Sequence, residues 1–189
     1  MKLAAMVTDL GDLAIVGSAG LFVAVWCATR LRPVIGLATL LCLTLLAIFV
    51  AVLKAVAASG SPEPWLARQW MLTRGAPSGH AAMATFVFGF SAWLFVRTGS
   101  TLANRLGALG CLGVVAAVAV TRVTLHHHTM ADVAAGLAVA SVPLGLMVAT
   151  VRGPANSFQA PAIELMVGLT VASLAPLLFG VRLSGATVI

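Results

Sequence analysis

The sequence predicts an all-α fold: a polytopic membrane protein with six transmembrane helices in one bundle. Three observations carry this. The 189 residues hold 11 Lys or Arg and 5 Asp or Glu, 8% charge in all, where a soluble domain carries roughly 25%. Apolar side chains make up 61% of the chain, gathered into runs near the roughly 20 residues that a helix needs to cross a bilayer. Six such spans take about 120 residues, which leaves only short loops and termini. The basic residues, finally, fall mostly at the ends of these runs. A soluble enzyme, a disordered tail and a secreted disulfide scaffold are all excluded. No repeat of fixed period and no second domain is visible, so residues 1–189 read as a single integral membrane domain.

Before the first span, MKLAAMVTDLGD carries two acids and no clean cleavage site, so no removable signal peptide is expected. The first helix is expected over about 13–29, stopped by Arg30, Arg32 and Pro33, and the second over about 34–57, apolar except for Lys54. The longest polar segment follows, SGSPEPWLARQWMLTRGAPSG. Its Trp65 and Trp70, beside Arg68 and Arg74, suit a short helix lying in the interface with indoles at headgroup level. The third helix is expected over about 80–96, the fourth over 103–125 and the fifth over 129–151. Arg152, Gly153 and Pro154 break the chain before the sixth, about 161–181. Gly107, Gly110 and Gly113 in the fourth helix, with Ala134, Ala135 and Gly136 in the fifth, allow close approach of helices where lipid supplies no hydrophobic drive. Packing within the chain is the expected use, with a homodimer through these small-residue faces as the alternative.

The net charge of +6 does not indicate a nucleic-acid partner, because the basic residues are spread along the chain and not gathered on one face. They read as membrane-flank anchors. Cys27, Cys42 and Cys111 lie inside apolar runs without CxxC spacing and read as small packing residues. With six spans, the loops after the second and fourth helices share a side with both termini. That side collects Lys2, Lys54, Arg68, Arg74, Arg122 and Arg182; the other collects Arg30, Arg32, Arg97, Arg105 and Arg152. With Lys54 and Arg122 set aside as site residues, the positive-inside rule puts the first side outside the cytoplasm. The expected location is a bacterial inner membrane, with the site on the non-cytoplasmic face.

An ionisable group within a membrane helix is costly to bury and therefore points to function. Lys54, Arg122 and Asp132 are three such groups. All four histidines, His80, His126, His127 and His128, fall at helix junctions on the side of Lys54 and Arg122. Two cations, several histidines and one carboxylate at one face suit an anionic phosphate, with Lys54 and Arg122 holding its oxygens. Pro77-Ser78-Gly79-His80 opens the third helix, where unused N–H groups and the positive dipole end favour an anion. Gly79 permits close backbone approach, and Ser78 adds a hydroxyl donor. Asp132 follows His128 by four residues, so a helix starting there puts both on one face. The carboxylate can then fix the imidazole tautomer and support its positive charge. Adjacent histidines point apart, so His126-His127-His128 does not suggest a metal site. His126 and His127 are expected at the interface or capping a helix.

These residues resemble the membrane members of the type 2 phosphatidic acid phosphatase superfamily, which carry three motifs: Lys-x6-Arg-Pro, Pro-Ser-Gly-His and Ser-Arg-x5-His-x3-Asp. The second stands complete as Pro77-Ser78-Gly79-His80. The third runs from Thr121-Arg122 to Asp132, with Thr for the leading Ser, and its spacing selects His128 among the three histidines. The first keeps its register from Lys54, but Ser61-Pro62 stands where the family has Arg-Pro. Arg74 or Arg68, in the same loop, is expected to supply the missing charge.

The resemblance implies a lipid phosphatase that needs no metal and no cofactor, hydrolysing a phosphoric monoester or diphosphate. His128 would attack phosphorus and become a phosphohistidine, with Asp132 orienting and charging it. His80 would protonate the leaving oxygen and then activate water. Lys54, Ser78, the Gly79 N–H and Arg122 would hold phosphate oxygens, with Arg74 or Arg68 as the added candidate from the loop. The implied partners are membrane lipids and a phosphorylated lipid substrate. Transfer to an acceptor lipid would use the same first step, and a catalytically weakened member is the alternative if nothing replaces the arginine at Ser61.

Overall fold

A computed structural model describes residues 2–59, 75–151 and 162–179. They form seven helices: α1 (Lys2–Asp9), α2 (Leu13–Arg30), α3 (Pro33–Ser59), α4 (Gly79–Thr98), α5 (Leu102–Thr124), α6 (Met130–Thr150) and α7 (Ala162–Leu178). There is no strand among the described residues. Helices α2 to α6 are long and apolar enough to cross a membrane. α7 is apolar but has 17 residues, about 25 Å at the helical rise. All six expected helices are therefore present among the described residues, five of them long enough to span, with ends within a few residues of those read from the sequence. α1 is an addition. Its eight residues, KLAAMVTD, are too few to register as a span.

The outer faces of the bundle are apolar. Leu37, Leu41, Leu45, Ile48 and Val52 recur every three or four residues along α3 and are half or more exposed, as are Ile163, Val167 and Val171 on α7. Water would drive such stripes inward, whereas in a bilayer they face the solvent that suits them. Several hydroxyls inside the helices are satisfied locally. Thr39, Thr85, Ser91 and Thr121 each donate to the carbonyl four residues back, at 2.6–2.8 Å, since a water-free interior offers no other acceptor.

α4 is the central helix, packed against α2, α3, α5 and α6. Phe86, Phe90 and Phe95 are fully buried along it, with stacked ring centroids 6.5 Å apart for Phe86–Phe90 and 5.9 Å for Phe90–Trp93. The small residues of α5 divide in their use. Gly107 lies against the Phe95 ring, where an added Cβ would come within 2.7 Å, while a Cβ at Gly110 or Gly113 would meet nothing within 4 Å. Because successive helices alternate in direction, the start of α4 meets the ends of α3 and α5 and the start of α6. That end of the bundle holds the polar cluster.

Candidate active site

The cluster is built around the first turn of α4. Ser78 is the N-cap and is fully buried. Its Oγ accepts the Ala81 N–H at 3.5 Å and its carbonyl accepts the Ala82 N–H at 3.0 Å. The hydroxyl proton is not used by that cap. The Ser78 N–H donates to the Asp132 carbonyl at 2.9 Å, which ties the start of α4 to the start of α6. Gly136 makes the approach possible, because a Cβ there would stand 2.6 Å from the Ser78 carbonyl oxygen.

α6 begins with a capping box. Thr129 Oγ1 accepts the Asp132 N–H at 3.2 Å, and Asp132 Oδ2 accepts the Thr129 N–H at 2.9 Å, so two otherwise orphaned donors are satisfied. The same Asp132 Oδ2 lies 3.7 Å from His128 Nδ1. That separation exceeds a hydrogen bond but leaves the two groups in strong electrostatic contact.

The histidine triplet divides into three jobs. His126 has φ 55°, the left-handed region that usually closes a helix with Gly or Asn. Its N–H donates to the Val123 carbonyl at 2.9 Å, and the N–H groups of His127 and His128 both donate to the Arg122 carbonyl at 3.1 Å. The pattern is a Schellman closure of α5. It meets the expectation that His126 and His127 cap a helix, and it carries His128 inward. His126 remains exposed, while His128 is 7% exposed and Arg122 4%. Burial first, and then the charges of Arg122 and Lys54, push the His128 pKa from 6.5 down to about 4, against the opposing pull of Asp132. The imidazole is therefore neutral at neutral pH, with its ring nitrogen lone pair available.

Lys54 comes from the end of α3 and points at the same turn. A Cβ on Gly79 would stand 4.0 Å from Lys54 Nζ. The charges of Arg122 and Asp132 act on Lys54, and those of Arg122, Asp12 and Lys54 act on His80. The structure thus brings together Lys54, Ser78, Gly79, His80, Arg122, His128 and Asp132. Arg74, Arg68, Ser61, Trp65 and Trp70 lie outside the described residues. Below the cluster an apolar groove of about 790 Å³ runs between α3 and α6, bounded by Cys42, Leu45, Phe49, Val52, Val139 and Pro143.

The sequence reading missed three features. Thr129 and Asp132 have the Thr-x-x-acid spacing of a capping box, a signal that was available. Gly136 does more than general helix packing: it is the contact that seats Ser78. The turn before α2 touches the site: a Cβ on Gly11 would stand 2.8 Å from His80 Cβ.

A model of the PAP2 superfamily matches residues 35–154. The chain belongs to the PAP2 superfamily. The match covers α3 to α6, and with them every side chain that the motifs contribute to this PAP2 site. It begins after α1 and α2, so the contact made by Gly11 lies outside it. No curated protein and no solved structure matches the chain.

Proposed function

We propose that the protein is a membrane-embedded, metal-independent phosphatase that hydrolyses a lipid phosphate or pyrophosphate through a phosphohistidine. The observation that carries this is the convergence of neutral, buried His128 with Arg122, Lys54 and the first turn of α4 at one end of a PAP2 bundle. In the first step a His128 ring nitrogen forms a bond to phosphorus as the phosphorus–oxygen bond to the leaving group breaks. The leaving oxygen takes a proton from His80. In the second step water gives a proton to His80 and its oxygen bonds to phosphorus, displacing the His128 nitrogen and releasing phosphate.

Positive charge from Arg122 and Lys54, the Ser78 hydroxyl and the Gly79 N–H stabilise the oxygens of the transferring group, where charge is concentrated. Asp132 supports the His128 imidazolium as the bond forms, and Arg74 is assigned the charge that Ser61 lacks. A lipid substrate is supported by the apolar groove, which lies within about a helical turn of Lys54 and would take a hydrocarbon chain while the headgroup meets the cations. The loop-charge count, four Lys or Arg against five once Lys54 and Arg122 are set aside, favours a site on the non-cytoplasmic face.

Phosphate release by the purified protein from a panel of phosphatidate-like, isoprenoid and lipid A-type phosphates tests the reading. Release that survives chelators and disappears in His128→Ala is expected. Release that requires a divalent ion, or that persists in His128→Ala, would contradict it. Phosphate found on an added acceptor lipid would make the enzyme a transferase with the same first step.

A further inference from the structure

His128 has a carboxylate partner within its own motif; the motifs provide none for His80. A turn from outside the family match packs against His80 and carries one. α1 packs against α5, and the chain then turns sharply, with Leu10, Gly11 and Asp12 N–H groups donating to the Val7, Thr8 and Asp9 carbonyls at 3.2, 3.0 and 2.8 Å. This turn rests on the start of α4. A Cβ on Gly11 would stand 2.8 Å from His80 Cβ, 3.2 Å from His80 Cα and 2.9 Å from Val118 Cγ1, so the turn can sit there only with glycine at its apex.

The next residue is Asp12, 2% exposed. It caps α2, its Oδ1 accepting the Ala14 N–H at 2.8 Å. A carboxylate buried this deeply at the end of a membrane helix is expensive unless its charge is used. Among the described residues, the titratable groups acting on His80 come from several elements: Arg122 from α5, Lys54 from α3, His128 from the loop before α6, and Asp12 from the turn before α2. Asp12 is the carboxylate of that set.

On the reaction proposed above, we infer that Asp12 is a positioning residue for His80, holding the imidazole in the orientation and protonation state that its acid–base role requires. The two histidines of the site then each have a carboxylate, Asp132 for the nucleophile and Asp12 for the acid. General acid catalysis of this kind contributes on the order of 10²–10⁴-fold. Its value depends on the leaving group, since an alkoxide needs a proton and a nitrophenolate hardly does.

Asp12→Asn separates this role from the cap, because Asn caps a helix as well as Asp does. With the full chain in detergent, dodecyl phosphate and p-nitrophenyl phosphate serve as probes. The inference predicts that Asp12→Asn lowers kcat on dodecyl phosphate by about 10- to 100-fold. KM should change little, kcat on p-nitrophenyl phosphate should fall by less than about threefold, and the alkaline limb of the dodecyl phosphate profile should move to lower pH. In a His80→Ala background, Asp12→Asn should have no further effect. Equal losses on both probes with a lowered Tm would make Asp12 a structural cap and overturn the inference. So would an unchanged profile in Asp12→Asn when His80→Ala is impaired, which leaves the phosphatase reading intact. Full dodecyl phosphate turnover in His80→Ala would instead remove His80 from the mechanism, and the inference with it.

Discussion

The two ends of the bundle are made of similar residues and treat them differently. At the end away from the site, Arg30 pairs with Glu164 at 2.7 Å, with both side chains nearly half exposed, and Arg97 lies over the Trp93 ring at 5.6 Å. Asn104 closes the α4–α5 turn there by donating to the Phe95 carbonyl at 2.7 Å and the Thr98 hydroxyl at 2.9 Å. These contacts tie helix ends to one another and to the turn between them. At the site end, Arg122, Ser78, Asp12 and His128 are buried, and helix caps place side chains as well as ending helices. A cation at a membrane flank is thus ordinary, while a cation withdrawn into the bundle beside histidines and a carboxylate is placed there at a cost that the proposed chemistry would explain.

Substitutions at the two ends should separate accordingly. The largest effect is expected at Arg122. Arg122→Ala removes a buried donor to the phosphate and should lower kcat by about 10²–10³-fold. Comparable turnover in wild type and variant would erase the distinction between the ends.

Next comes the seat of the first α4 turn. Gly136→Ala forces a Cβ against the Ser78 carbonyl oxygen, 2.6 Å away, and overpacking of this kind costs about 1–3 kcal/mol. Thermal unfolding should show a lowered Tm, and activity should fall as Ser78 moves. Gly110→Ala is the control, because its Cβ enters open space. It should leave activity alone and raise stability by about 0.5–1 kcal/mol.

A third test reads the electrostatics of the site directly. With His128 pushed down to about 4, its imidazole resonance should titrate near pH 4 in a histidine-labelled NMR sample. Asp132→Asn removes the charge that favours the imidazolium, so the midpoint should move lower still. A midpoint near the unperturbed 6.5 would mean that His128 is solvated like an exposed residue. The smallest effect belongs to the far end. Arg30→Ala should change stability by less than about 1 kcal/mol and should not alter turnover.

Much of this was legible in the sequence, for physical reasons. Bilayer spans announce themselves because about twenty consecutive apolar residues have few other uses, which is why α2 to α6 appear where the composition put them. Lys54, His80, Arg122, His128 and Asp132 were legible because so few ionisable residues interrupt those spans. The division of labour in the histidine triplet was only partly legible. Spacing selected His128, but the left-handed turn at His126 that delivers it depends on backbone geometry. Asp12 was not legible as a site residue. The approach of its neighbour Gly11 to His80 joins positions nearly seventy residues apart through the packing of α1 and the glycine at the turn, and no periodicity encodes that.

The central claim is covalent, so its most direct test is to trap the intermediate. The purified chain is mixed with a lipid phosphate carrying labelled phosphorus, quenched within milliseconds to seconds and digested for mass spectrometry. The account predicts an acid-labile, alkali-stable phosphoryl group on His128, present at early times and absent from His128→Ala. Full phosphate release with no phosphoryl group on His128 at any time, or a phosphoryl group on another residue that turns over, would contradict it.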